Sequence, residues 1–338
     1  MLWWSELRDR HLCRTVNRRR LGGRSILTSR FGNWKGRTVM RERIGLVGVG
    51  NMGGPMARCL VKAEHAVMLY DTRPEITAPF AAESNMFTVA PDLETLGAEC
   101  RTIITMLPDS KVVRAVTFGG GGRGGFASKV AKGGIVIDMS SSYPVDTQKL
   151  GEELAAKGIG LVDAPVSGGV PKAVTGQLAI MAGGKKEDID RVEPILKAMG
   201  TVHRTGPLGS GHAMKALNNY VSAAGLVATA EALVIGQRFG LEGAVMTKVL
   251  NASTGRNNTT ENKAERYMLN HAFNSGFALA LMDKDVGMAN RLAQELGIEA
   301  AELGFVSDLL GRILKDLGPA ADHTAVYAHA EKKATPGK

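Results

Sequence analysis

Ile44-Gly-Leu-Val-Gly-Val-Gly-Asn-Met-Gly53 is the stretch that decides the fold. Ile44-Gly-Leu-Val-Gly48 reads as a short buried strand, and Pro55-Met-Ala-Arg-Cys-Leu-Val61 behind it has helical spacing. Between them stands Gly48-Val49-Gly50-Asn51-Met52-Gly53, a GxGxxG pattern in the strand-to-helix setting that gives it meaning. Gly48 permits the tight turn, Gly50 lets a pyrophosphate approach the backbone, and Gly53 packs helix on strand. The pyrophosphate would sit at the helix N-terminus, where unpaired N–H groups and the dipole favour anions. A second strand, Ala66 to Tyr70, ends in Asp71, 23 residues after Gly48. A carboxylate there hydrogen-bonds an adenosine ribose and repels a 2′-phosphate, which favours NAD over NADP. Arg73 works against that preference, because a nearby arginine can accept the phosphate.

Outward from this unit the alternation of strand and helix continues. Arg101 to Met106 is a strand ending at Leu107-Pro108, and Gly134 to Asp138 is another, ending at Ser140-Ser141-Ser142. Gly160 to Asp163 runs into Ala164-Pro-Val-Ser167-Gly168-Gly169, and Leu178 to Ala182 follows. The expected fold is therefore α/β, a Rossmann-type doubly wound parallel sheet whose ligands bind at the carboxyl ends of the strands. Gly119 to Gly125 lacks the GK[ST] ending of a phosphate loop and reads as a flexible surface connection. Near Thr205-Gly206-Pro207 the character changes to helices, with apolar spacing over 242–250, 259–269, 281–296 and 300–317. The expected division is a disordered basic extension over 1–42, a dinucleotide-binding domain over 43–206 and an all-α domain over 207–330.

Charge would suggest a nucleic-acid partner until it is located. Residues 1–43 hold twelve basic and three acidic residues, the whole surplus of +9, and the rest of the 338-residue chain is neutral. The globular body has no electrostatic reason to bind nucleic acid or membrane. Arg-rich and acid-poor, the first 39 residues have three readings: a mitochondrial-type presequence, a docking tail for an acidic partner, or an extension upstream of a start at Met40. Localisation is accordingly read as cytoplasmic, or the mitochondrial matrix if the presequence reading holds. Cys13, Cys59 and Cys100 are odd in number and widely spaced, which fits free thiols in a reducing compartment. His323 and His329 have no cluster of ligands around them, so no metal is expected.

The chemistry is expected in Gly209-Ser-Gly-His-Ala-Met-Lys215-Ala-Leu-Asn218-Asn219. Ala213 to Ile235 reads as one long helix, apolar on nearly every face, and such a helix is normally buried between layers. A membrane span is disfavoured because Lys215, two asparagines and Glu231 interrupt the apolar run. Lys215 and Asn219 are four apart and share a face. Burying an ammonium costs several kcal/mol unless it is paired or neutralised, so such a lysine usually has a task. His212, off that face, reads as a satisfied histidine rather than an acid–base group.

Five motifs now stand in one order: GVGNMG at 48–53, Asp138-Met-Ser-Ser, Asp163-Ala-Pro-Val-Ser-Gly-Gly, GxGxxxKxxNN at 209–219, and Met282-Asp-Lys284-Asp285. Over residues 43–330 the chain resembles the β-hydroxyacid dehydrogenase family, to which the 3-hydroxyisobutyrate dehydrogenases belong. The resemblance implies a Rossmann domain, a long interdomain helix and an all-α C-terminal domain that forms homodimers or homotetramers. It also implies reversible NAD(P)-dependent oxidation of a small 3-hydroxy acid to its semialdehyde. By resemblance Lys215 matches the catalytic lysine and Asn219 its hydrogen-bonding neighbour, while Ser167, Gly168 and Gly169 match the loop that holds the substrate carboxylate. Leu107, Pro108 and Ser141 match cofactor contacts, and Lys284 a lysine near the nicotinamide side. Pro171-Lys172 depart from the Gly-Ala often found there, which bears on the tail of the acid.

The competing readings are a reductase of tartronate- or sulfolactate-type semialdehydes or of imines, and a non-catalytic dinucleotide-binding module with a basic docking tail. Imine reductases commonly carry another residue at the place of Lys215, and an intact Lys215 and Ser-Gly-Gly weaken the module reading. Because the charge surplus lies before the first strand, a chain starting at Met40 should fold, bind NAD and turn over like the full one. Insolubility or lost cofactor affinity of the shortened chain would show that the extension packs on the body.

Overall fold

The protein is described here through a computed structural model over residues 42–334; the expectations for the basic extension and Cys13 lie outside those residues. From the N-terminus, β1 (Ile44–Val47), α1 (Gly53–Lys62), β2 (Val67–Tyr70), α2 (Pro74–Glu83), β3 (Phe87–Val89) and α3 (Leu93–Glu99) alternate. Next come β4 (Thr102–Thr105), α4 (Ser110–Phe118), the two-residue strands β5 (Gly119–Gly120) and β6 (Arg123–Gly124), β7 (Ile135–Asp138), α5 (Pro144–Ala155) and β8 (Gly160–Asp163). Then follow β9 (Val166–Ser167), α6 (Gly169–Thr175), β10 (Leu178–Gly183), α7 (Lys186–Leu196) and β11 (Gly200–Gly206). The main sheet runs β11-β10-β8-β7-β4-β1-β2-β3, with β9 paired to β10.

The central strands β1, β4, β7 and β8 are short and buried on both faces, as a sheet covered by helices on both sides requires. Ile44, Leu46, Leu69, Ile104, Ile137 and Val162 point into one layer, against Met56 and Leu60 of α1 and Val192 and Leu196 of α7. Their neighbours Val47, Met68, Ile103, Val136 and Leu161 point into the other, with Leu96, Val113, Phe126 and Leu154. From β3 to β8 all pairings are parallel. Beyond β8 the sheet departs from the expected parallel order. The chain doubles back through β9, which pairs antiparallel with Ala179 and Ile180, so β10 meets β8 antiparallel through Gly183 and Asp163. β11 then extends β10 in parallel. The Gly119–Gly125 connection is a small hairpin rather than an unstructured loop, because β5 and β6 pair antiparallel.

A 30-residue helix, α8 (Ser210–Phe239), leads to α9 (Gly243–Ala252), α10 (Asn258–Asn262), α11 (Leu279–Glu295), α12 (Ala301–Leu317) and α13 (Val326–Lys333). Leu226, Leu233, Met282, Val286, Leu310, Ile313 and Tyr327 form their common core. Two expectations change here. α8 is not covered all round: Leu226 and Leu233 are buried, whereas Met214, Leu217, Val221, Ile235 and Phe239 stand exposed along the other side. Apolar residues on every face leave open which face a neighbour covers. The helix expected over 259–269 is broken at Lys263 (φ −123°, ψ −40°), after which Ala264–Met268 forms one π-helical turn.

The two halves are joined by buried carboxylates. Asp163, at the carboxyl end of β8, accepts N–H bonds from Gly209 and His212, both at 2.8 Å, and so caps the first turn of α8 from within the sheet. One strand over, Asp138 accepts from Thr105 Oγ1 (2.9 Å) and Ser142 Oγ (2.7 Å). His212 lies between them, with Nδ1 2.8 Å from Thr147 Oγ1 and Nε2 3.1 Å from the Ser140 carbonyl. It is the satisfied histidine the sequence suggested. Asp163→Asn would turn an amide N–H toward the helix donors in a fully buried site. It should cost about 2–4 kcal/mol, the value of one or two charged hydrogen bonds, and lower Tm and kcat together. A variant that melts with the parent would show that the cap does not hold the helix.

Candidate active site

Adjacent strands β1, β4 and β7 end side by side, and the loops behind them converge. In the first, Gly48 has φ +93°, and a Cβ on Gly53 would stand 2.0 Å from the Gly48 carbonyl oxygen, so only glycine fits either place. α1 starts without a side-chain cap and without an acidic residue in its first turn, which leaves its N-terminus receptive to an anion. Asn51 is exposed at that turn and Met52 half-buried. Asp71 is fixed by the Val49 N–H on Oδ2 (3.0 Å) and the Arg73 N–H on Oδ1 (3.1 Å). The Arg73 guanidinium lies above Gly50, its Nη2 4.0 Å from where a Cβ would be. Turn, uncapped helix and anchored carboxylate together fit a dinucleotide with a free ribose.

The second and third loops are tied to each other and then to the helical half. Leu107 N–H donates to Ser140 Oγ at 2.9 Å. Lys284 on α11 donates through Nζ to the carbonyls of Pro108 (2.8 Å) and Ser141 (3.1 Å). Lys284 thus draws the Pro108 and Ser141 loops together from the helical half.

On the next residue the direction changes. Asp285, 2% exposed, accepts from Asn219 Nδ2 at 2.6 Å through Oδ2. Its Oδ1 is buried without a hydrogen-bond partner, 3.3 Å from Lys284 Nζ. Asp285 fixes the Asn219 amide, which also receives Asn218 Nδ2 at 3.2 Å. Lys215 lies one turn before Asn219 on the same face. Burial pushes its ammonium below the ordinary lysine range, Asp285 opposes that, and Lys284 adds to it. The motif Met282–Asp285 by itself gives Asp285 no role; an acid adjacent to Lys284 on one helix is the signal that marks it.

Ser167 closes β9, and Gly168 (φ +128°) and Gly169 (φ +66°) follow in a conformation that side chains rarely adopt. The stem of Lys172 folds back over Gly168, with Cδ 2.6 Å from the place of a Cβ there. Among the described residues no side-chain hydrogen bond joins this loop to Lys215 or Asn219. The structure links Leu107, Pro108, Ser141, Lys284 and Asn219, and leaves Ser167–Gly169 on a separate loop.

Residues 43–209 match the family model described as the NAD binding domain of 6-phosphogluconate dehydrogenase. Residues 209–330 match the NAD-binding region of NADP-dependent 3-hydroxyisobutyrate dehydrogenase. The chain is 33% identical to the mitochondrial 3-hydroxyisobutyrate dehydrogenase of Rattus norvegicus, over 86% of this chain and 88% of the relative. To the 2-(hydroxymethyl)glutarate dehydrogenase of Eubacterium barkeri it is 34% identical, over 75% of this chain and 83% of the relative. The solved structure of a Mycobacterium tuberculosis 3-hydroxyisobutyrate dehydrogenase with L-serine superposes with TM-score 0.77 at 29% identity, covering 87% of this chain and 99% of that one. The chain belongs to the β-hydroxyacid dehydrogenase family, as an NAD-dependent oxidoreductase of hydroxy acids.

Proposed function

We propose that the protein interconverts a small 3-hydroxy acid of the 3-hydroxyisobutyrate type and its semialdehyde, with Lys215 as the acid–base group. The observation that carries this reading is the half-buried Lys215, its ammonium weakened by burial, one turn from an Asn219 locked by Asp285. Bound NAD would supply the hydride acceptor for the carbon that bears the hydroxyl. Lys215, as the free amine, takes the hydroxyl proton, and as the ammonium returns it to the carbonyl oxygen in reduction. Asn219 orients that oxygen without adding charge, while Asp285 keeps its amide from turning. Ser167, Gly168 and Gly169 receive the carboxylate, since no Cβ at either glycine blocks the backbone N–H groups. Gly48, Val49, Gly50, Asn51, Met52 and Gly53 would hold the pyrophosphate and Asp71 the ribose, with Leu107, Pro108 and Ser141 as further cofactor contacts and Lys284 near the nicotinamide side. The relatives' names give two candidate acids, 3-hydroxyisobutyrate with one carboxylate and 2-(hydroxymethyl)glutarate with two.

In this reading 43–206 is the cofactor domain and 207–330 the substrate and assembly domain. A homodimer or homotetramer is supported by the exposed Met214, Leu217, Val221, Ile235 and Phe239 on α8, continued by Val245 and Val249 on α9. The buried free thiols Cys59 and Cys100 suit a reducing compartment, the cytoplasm or the mitochondrial matrix.

Lys215→Met keeps the aliphatic stem and should lower kcat about 10²–10⁴-fold, the range of general acid–base catalysis, with NAD affinity little changed. Lys215→Arg should fail nearly as badly, because a guanidinium does not release its proton near neutral pH. In the parent, kcat for oxidation should rise with pH as the amine loses its proton, along a limb centred below the ordinary lysine value; the Met variant should lack it. A Met variant with a tenth of parental kcat would remove Lys215 from the mechanism. Asp71→Ala should weaken NAD and narrow the NAD/NADP ratio of kcat/KM, since charged ribose bonds of about 1.5–3 kcal/mol each would go. An unchanged ratio would put the ribose elsewhere.

A further inference from the structure

A second half-buried lysine, unused by the mechanism above, stands on the same side of α8. The chain breaks at Lys263, between α10 and the π-helical turn, and its Nζ points at Ser222 Oγ at 3.5 Å. Ser222 is three residues after Asn219 and seven after Lys215, so the three positions share one face of α8. α10 reaches this place by running back along α8: Asn257 Nδ2 bonds Thr229 Oγ1 at 3.1 Å, and Lys263 then stands beside Ser222. At 1.5 Å of rise per residue, Ser222 lies about 4.5 Å beyond Asn219 along the axis and about 10 Å beyond Lys215.

The Lys263 ammonium has no carboxylate within salt-bridge distance among the described residues. Asp322 is the acid that influences it, but that carboxylate already accepts from Ser275 Oγ, the N–H groups of Gly276, Phe277 and Thr324, and Thr324 Oγ1. Burial lowers the Lys263 ammonium to about 8, so it keeps its charge at neutral pH with Asp322 acting on it only from beyond ion-pair distance. A cation so placed costs free energy unless an anion joins it. A π-helical turn beside it is a frequent mark of functional sites.

We propose that Lys263 and Ser222 Oγ receive a second anionic group at the far end of the substrate, so that the site prefers hydroxy acids with two acidic ends. This rests on the hydroxy acid reading above, which places the reacting carbon at Lys215 and Asn219. The recognised chemistry is a terminal monoanion, a carboxylate or a sulfonate. It assigns the substrate tail to the helical half of the molecule, about one turn of α8 beyond the reacting oxygen.

The test uses the full chain with saturating NADH and measures binding of unreactive acids by calorimetry. Glutarate should bind about 10–100-fold tighter than pentanoate, the value of one charged hydrogen bond, and 4-sulfobutanoate tells which terminal anion is preferred. Lys263→Met should bring the glutarate/pentanoate ratio close to one, Lys263→Arg should restore part of it, and Ser222→Ala should lower it less. Equal affinity of the parent for glutarate and pentanoate would overturn the proposal, as would a ratio that survives in Lys263→Met. Should Lys263→Met not fold, the parental ratio and the Ser222→Ala ratio decide. Turnover is scored separately with 3-hydroxyisobutyrate and 2-(hydroxymethyl)glutarate. A parent that selects glutarate yet oxidises neither acid keeps the anion site and loses the reaction.

Discussion

Everything in the cleft depends on a single buried carboxylate meeting the start of a helix. Asp163 ends a strand of the sheet, and its two oxygens take the N–H groups of Gly209 and His212. The first turn of α8 would otherwise leave those buried donors without a protein partner. With the cap in place, a helix that carries Lys215 and Asn219 is fixed in register against the strands that carry the cofactor loops. Removal of this contact would not delete a catalytic atom; it would let all of them drift by fractions of an ångström, which catalysis tolerates poorly.

A second tie closes the cleft from the other end. Lys284 and Asp285 are sequence neighbours, so on a helix their side chains diverge by roughly a quarter turn. One grips the carbonyls of Pro108 and Ser141, and the other grips the Asn219 amide. Two adjacent residues therefore couple the loops after β4 and β7 to the helix that carries Lys215 and Asn219. Asp285 Oδ1 is the polar atom left without a hydrogen bond in that arrangement, buried and 3.3 Å from the Lys284 ammonium.

The cofactor half was legible because its physics is local. A tight turn, a close helix and an acid at the end of the next strand leave marks at fixed offsets, and Gly48, Gly53 and Asp71 carry them. Lys215 and Asn219 were legible for a similar reason, a charge and an amide at helical spacing inside an apolar run. β11 was not, since an edge strand reading Gly-Thr-Val-His-Arg-Thr-Gly buries too little to show alternation. Nor was the break at Lys263, where the apolar period of 259–269 continues across a change of backbone path. The reversal through β9 hangs on the pairing of Val166 and Ser167 with a strand twelve or more residues away, and no local pattern encodes that.

The exposed stripe on α8 has a consequence for how this enzyme behaves on dilution. Met214, Leu217 and Val221 occupy the back of the same turns whose front carries Lys215, Asn219 and Ser222. A rigid rod cannot be loosened on one side and held on the other. If a second copy covers that stripe, the separation of the copies would wet the helix behind the proposed acid–base lysine, and turnover per molecule would fall with protein concentration at constant substrate. Assembly would then set the reactivity of the lysine as much as its neighbours do.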